Sequence, residues 1–365
     1  MPAASRLGLP LWSLLLPVVA AVELAATWGR KPGVGLLLAT VAICLVAGVI
    51  AAVHHAEVVA HRVGEPFGTL ILAIAVTVIE VGLIVMLMSS GGEGASTLAR
   101  DTVFAAFMIV CNGVVGLCLV VGAIRHHELE FRVEGVTATL ATLTAVATFS
   151  LVLPAFTTST PGPTYSAGQL AFAGIASLTL YGVFVFVQTV RHRDYFLPPQ
   201  PGPSDEDDHA APPTTRTALV SLGLLVVCLV AVVGLAKTAS PAIEDGVDSA
   251  GAPQAVVGVV IALLVLLPET AAAVRAALRN RVQTSLNLAL GSGLASIGLT
   301  IPTIAVASIW LPGSLQLGLA PTGIVLLALT VVLSVLTVAL GRATLMQGAV
   351  HLTAFAAFLV LAFTP

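Results

Sequence analysis

Two glutamates lie where an acid is expensive to keep. Glu80 sits in TVIEVGLIVML and Glu269 in LLPETAAAVRA, each surrounded by apolar residues. A carboxylate at the centre of a membrane helix costs about 2.5–3.5 kcal/mol on insertion scales, and intramembrane acids typically line an ion or proton path. Two acids serving one site repel each other and bind protons more tightly, and a divalent cation relieves both the repulsion and the desolvation. Calcium accepts roughly 6–8 oxygen ligands, including backbone and amide carbonyls. Neutral oxygens stand nearby in the pattern: Thr77 one turn before Glu80, Asn112 in FAAFMIVCNGVVG, and Ser292 and Ser296 in SLNLALGSGLASIG. Pro268 has no N–H, so the carbonyl of Leu264 is freed to face a cavity. Gly291 and Gly293 leave room for a neighbouring helix. The chemistry these residues suit is holding either a metal cation or protons. The plainer alternatives are acids hydrogen-bonded between helices, hydroxyls bonded to their own helix, and Asn or Ser acting as packing contacts. Gln283 and Asn287, four apart, fit packing better than ligation.

Other titratable groups lie outside this set. Glu65 precedes Pro66 at the start of its helix, where an acid caps the positive end of the dipole. It lies about 15 residues, or roughly 22 Å, from Glu80, and its functional alternative is an access route for ions. His351 falls in the middle of the last apolar run and reads either as a satisfied buried imidazole or as part of a proton path. His54, His55 and His61 flank Glu57, and His126 and His127 precede Glu128; both groups read as turns. Imidazole titrates near neutral pH, so these turns are expected to sense pH or simply to supply positive charge. Cys44, Cys111, Cys118 and Cys228 lie in apolar runs without disulfide or zinc spacing.

The elements that position these groups must cross a bilayer. The chain has 365 residues, 58% hydrophobic and 9% charged, with mean hydropathy +1.05 and net charge −3. A soluble domain carries about 25% charged residues. This excludes a cytosolic enzyme, a disordered chain and a nucleic-acid binder. No GxxxxGK[ST] is present, so no nucleotide is expected, and no HExxH, paired-Asp or Ser/His arrangement points to an intramembrane hydrolase. Runs near 20 apolar residues occur at 11–28, 33–53, 66–89, 101–123, 133–153, 166–190, 217–236, 253–275, 283–309, 316–340 and 343–363. The first could pass for a secretory signal; ten further runs favour a retained helix. Of the 15 basic residues, 11 fall on the N-terminal side of this arrangement and 4 on the other. The positive-inside rule then places the N-terminus in the cytoplasm and the C-terminus outside.

One hydrophilic stretch interrupts the pattern: residues 191–216, rich in proline around the acidic run Asp205–Asp208, an extended tether by composition. It divides the chain into an N-terminal helix (1–32), a five-helix unit with Glu80 (33–190), the tether, and a second five-helix unit with Glu269 (217–365). Each glutamate lies in the second helix of its unit, with polar residues in the helix after it. Five is odd, so the units enter the membrane from opposite faces, and both glutamates fall near mid-depth. The expected fold is an all-α polytopic membrane protein of 11 transmembrane helices, one extra helix plus two inverted five-helix repeats. Inverted repeats around a midplane site are a recurring transporter design.

The stretches Val63–Leu87, Leu98–Gly116 and Leu266–Pro302 resemble the cation/proton exchangers of the calcium/cation antiporter superfamily, specifically the bacterial ChaA-type members. With the layout, the likeness covers nearly the whole chain. It implies that Glu80 and Glu269 match the central ion-binding glutamates of the two family repeats, and that Asn112, Ser292 and Ser296 fall where the following helices supply polar contacts. The commoner family motif carries Gly-Asn shortly before each glutamate; here those positions are Val76–Thr77 and Val265–Leu266. ChaA-type members are associated with Na⁺ and K⁺ exchange as well as Ca²⁺. The function expected is Ca²⁺/H⁺ antiport across a bacterial inner membrane by alternating access, with Na⁺(K⁺)/H⁺ antiport as the alternative. No cofactor is expected. The partners are the lipid bilayer and inorganic cations, and homo-oligomerisation is left open.

Overall fold

A computed structural model describes residues 8–30, 35–64, 67–90, 94–198, 212–249, 251–311 and 313–364. Glu65, and the acidic run of the tether, lie outside these residues. Eleven helices follow one another: α1 (Leu11–Thr27), α2 (Leu36–Val63), α3 (Phe67–Ser90), α4 (Leu98–His126), α5 (Val133–Ala155), α6 (Ala167–Arg191), α7 (Thr215–Ser249), α8 (Ala255–Leu278), α9 (Val282–Ala307), α10 (Pro321–Val338) and α11 (Leu345–Phe363). Ten are long and apolar enough to cross a bilayer, and α1 has 17 residues. Helices suit this sequence because lipid offers no partner for an open backbone N–H or C=O.

Two helices outrun their apolar stretches. Expected to end near residue 53, α2 continues to Val63, and α7 continues past 236 to Ser249, taking Lys237 inside. Helix propagation needs only successive backbone bonds, and AAVHHAEVVAHRV contains no breaker before Gly64, which ends α2 at φ +76°. His54, His55 and His61 are therefore helical, not in a turn.

The described chain forms two compact units: residues 1–90 with 203–251, and residues 91–202 with 252–365. In the first, α2 and α7 pack along each other, with α1 and α3 against them. The crossing uses small residues: a Cβ on Gly48 of α2 would meet Val232 of α7 at 2.9 Å, and one on Gly82 of α3 would meet Val233 at 2.6 Å. Thr40 of α2 donates to Glu23 of α1 at 2.8 Å.

The second unit holds α4–α6 and α8–α11. Its turns pair in a telling way. The turn after α4 and the turn after α10 form a two-residue antiparallel ladder, Leu129–Glu130 with Arg342–Ala343. The turn after α5 and the turn after α9 form a bridge, Thr164 with Gln316. The start of α5 is thus tied to the end of α10, and the end of α5 to the start of α10, so the two run antiparallel. Exchanging α4 with α9, α5 with α10 and α6 with α11 maps each pairing onto the other. The helix contacts obey the same exchange, α4 packing on α11 and α9 on α6. Both contacts are glycine crossings: Gly116 against Gly348, and Gly174 against Pro302. Within this unit, elements five apart cross the membrane in opposite senses.

Candidate functional site

In the first unit, Glu80 is buried in the middle of α3, 1% exposed. Thr77, also buried, donates its hydroxyl to the Ala73 carbonyl at 2.8 Å, the own-helix bond open to any threonine. Its oxygen keeps lone pairs for a further partner.

In the second unit, Glu269 follows Pro268 inside a continuous α8. Proline leaves the Leu264 carbonyl without its usual amide donor. Two contacts fix the depth of Glu269 against α4. A Cβ on Gly258 would meet the Asp101–Thr102 backbone at 2.8 Å, and one on Gly122 would lie 3.7 Å from the Ala277 carbonyl oxygen. The two helices are therefore parallel and in step, with Glu269 level with Gly113, beside Asn112. At that level α4 is not α-helical: Ile109–Val114 forms a π segment, a local widening often found at functional sites. A third element reaches the same depth. A Cβ on Gly293 of α9 would meet the Val110 side chain at 2.9 Å, placing Ser292 at this level and Ser296 about one helical turn beyond it. Ser296 is buried and Ser292 half-buried. A Cβ on Gly291, by contrast, would find nothing within 4 Å, so only Gly293 makes the expected close approach. The fold thus brings Glu269, the π segment and Ser292 to one depth, with Ser296 about one turn away.

Asn112 itself joins a buried hydrogen-bond network. Thr330 of α10 donates its hydroxyl to the Leu326 carbonyl at 2.7 Å, so its oxygen accepts from the Asn112 amide nitrogen at 2.7 Å. The Asn112 amide oxygen then accepts from His351 Nδ1 at 2.9 Å, which leaves His351 Nε2 to accept from the Thr337 hydroxyl at 3.0 Å. Asn112, Thr330 and His351 are each at most 1% exposed. The network engages both ends of the amide and both ring nitrogens of His351. Thr330 and Thr337 escape sequence reading because 218 residues separate Asn112 from Thr330 and intramembrane threonines are common. Gln283 and Asn287 bond as packing contacts: Gln283 accepts from the Arg132 amide and donates to Asn287, which donates to the Phe196 carbonyl.

The remaining histidines sort by environment. His55 is fully buried and donates to the Ser13 carbonyl at 2.8 Å, while the His54 ring lies 4.8 Å from that of Trp12. Both join α2 to α1 rather than standing in a polar turn. His61 is exposed on the last turn of α2. His126 closes α4 and donates to the Leu278 carbonyl at 3.1 Å; His127, just beyond, has φ +66°.

Long apolar helices define a multi-pass membrane protein, with a buried acid in α3 and an acid beside a proline in α8. The profile of the sodium/calcium exchanger protein family matches residues 33–190 and 220–364, and the chain belongs to that family. It is 35% identical over 355 residues to the sodium-potassium/proton antiporter ChaA of Escherichia coli (strain K12), covering 96% of each. It is 50% identical over 364 residues to the "Putative ionic transporter y4hA" of Sinorhizobium fredii, covering 98% of this chain and 97% of that one. Among solved structures, native YfkE superposes with TM-score 0.72 at 18% identity, over 97% of this chain and 99% of that one. The H⁺/Ca²⁺ exchanger CAX gives 0.70 at 16%, over 95% and 87%. The fold is that of membrane cation exchangers, and the protein is a transporter rather than an enzyme.

Proposed function

We propose that this protein exports Ca²⁺ in exchange for H⁺ by alternating access, with Glu80 and Glu269 carrying cation and protons in turn. The observation that carries the reading is Glu269 at mid-length of α8, level with the π segment of α4 and with Ser292, in a family of cation exchangers. An acid at this depth is costly when empty and charged, so the loaded forms, with metal or protons, are the ones that change faces. That restriction makes exchange obligatory. A unit pH difference supplies about 1.4 kcal/mol per proton, and the membrane potential about 2.3 kcal/mol per net charge for roughly 100 mV. Thr77, Ser292, Ser296 and the Leu264 carbonyl are the neutral oxygens of this reading. Asn112 stays among them: its amide oxygen accepts one hydrogen bond, from His351, and keeps a second lone pair. The two repeats are proposed as 33–190 and 217–365, in a bacterial inner membrane with the N-terminus cytoplasmic.

A second reading, Na⁺(K⁺)/H⁺ exchange by the same groups, is favoured by the name of the relative at 35% identity. It also suits Val76–Thr77 and Val265–Leu266, where the commoner motif has Gly-Asn. Proteoliposome flux, measured ion by ion against a pH gradient, separates the two. Ca²⁺ flux with proton counterflow supports the first reading, and Na⁺ or K⁺ flux without Ca²⁺ flux supports the second. Glu80→Gln and Glu269→Gln are each expected to abolish exchange while leaving membrane insertion intact. Wild-type rates in both variants would refute the assignment of these acids.

A further inference from the structure

The second unit carries a polar feature outside the candidate site described above. Helices α4 and α8 run parallel and end side by side, tied by the His126–Leu278 hydrogen bond. Between their ends opens a cavity of ≈ 560 Å³ lined by Arg125, His126, Arg275, Leu278 and Arg279, within the range of about 300–1,000 Å³ that small-ligand sites occupy. Among the described residues, no ion pair or hydrogen bond is made by the side chains of the three arginines. The nearest acid in sequence, Glu128, is paired with Arg342 at 3.2 Å. Both walls end abruptly: His127 and Asn280, at φ +66° and +61°, are the two non-glycine residues with positive φ among those described, and each stands one or two residues beyond its helix. The backbone therefore turns away and leaves the guanidinium groups around an open mouth.

Cations at helix C-termini complement the dipole, and basic residues gather on the cytoplasmic side. Those effects explain positive charge at these ends. They do not call for three guanidinium groups around one cavity without a carboxylate. Arginine presents a planar fork that matches phosphate oxygens two at a time, and basic pockets between transmembrane helices suit lipid headgroups. The surroundings favour a lipid over a free anion, because Leu278 in the cavity and Ile124 beside Arg125 are exposed apolar side chains at the same helix ends.

We infer that Arg125, Arg275 and Arg279 bind the phosphodiester headgroup of an anionic phospholipid between the ends of α4 and α8.

The test uses the full-length protein in neutral detergent, with short-chain phosphatidylglycerol, the matching phosphatidylcholine and inorganic phosphate as probes, bound lipid being counted by native mass spectrometry. Phosphatidylglycerol is expected to bind in preference to phosphatidylcholine and to resist equimolar phosphate. At about 1 kcal/mol per basic residue, each arginine is worth roughly fivefold, so Arg125→Gln, Arg275→Gln and Arg279→Gln together should weaken phosphatidylglycerol about a hundredfold. A control with the same charge change, Arg191→Gln, Arg193→Gln and Arg216→Gln, should lose less than about threefold. Equal loss in both triple variants would assign the effect to diffuse charge and overturn the site. So would wild type without headgroup preference. Displacement by equimolar phosphate would make it a free-anion site and overturn the lipid assignment. Should the triple variant fail to purify as a single species, Arg275→Gln alone is read: a fivefold loss supports the site, and unchanged affinity refutes it.

Discussion

Asn112 is a polar residue in the helix after Glu80, and its pattern alone suits ion ligation as well as packing. Its partners are a threonine and a histidine. The chain Leu326–Thr330–Asn112–His351–Thr337 gives each hydroxyl, amide and imidazole one role, and a buried polar group that loses its partner costs about 1–3 kcal/mol. Asn112→Leu is therefore expected to destabilise the protein by about 1–3 kcal/mol, read as a lowered unfolding temperature in detergent. His351→Leu added to it should cost much less than the sum of the two single changes, because residues in one network are not additive. Additive losses would show that the two side chains act independently. Glu80 and Glu269 were legible without a fold because a charged residue in an apolar run is conspicuous. The threonines that complete the network were not, since a hydroxyl in a membrane helix satisfies itself on its own backbone.

At the level of elements, helix crossings in the second unit depend on where glycine replaces bulk. A Cβ on Gly348 of α11 would meet the Val120 amide nitrogen of α4 at 2.8 Å, with the Gly116 carbonyl oxygen at 3.0 Å. These are backbone atoms and have no rotamer to yield. Gly348→Val is expected to destabilise by about 1–3 kcal/mol or more. Gly291→Ala on α9, with nothing within 4 Å, should be neutral or stabilising by about 0.5–1 kcal/mol. Thermal unfolding of the two variants in parallel checks the contrast, and similar losses in both would contradict the packing described. Hydropathy located the helices but not their ends. Imidazole and lysine lower the local average without stopping a helix, so α2 and α7 run on until a residue such as Gly64 turns the chain.

For the molecule as a whole, the distribution of basic residues makes a prediction about sidedness. With 11 of 15 lysines and arginines on one side, reporter fusions should place Met1 and the tether in the cytoplasm and Pro365 outside. A reporter showing both termini on the same side would remove one crossing and the odd helix count with it. The antiparallel relation of α5 and α10 gives the inverted arrangement a footing inside the second unit. The odd helix number supplies the same conclusion from the sequence, by an independent route.

Composition and spacing alone determined that the chain is a multi-pass helical membrane protein with two acids inside apolar runs and one proline-rich acidic stretch between such runs. Those properties are local: hydropathy, charge and residue counting depend only on neighbours along the chain. Only the tertiary structure decided that Glu269 shares its depth with a π segment of α4, that Asn112 bonds His351 and Thr330, and that three arginines surround one cavity. Each of these depends on which distant helices meet and at what register. A membrane sequence encodes that in glycines and small side chains, whose partners become identifiable only once the backbones have met.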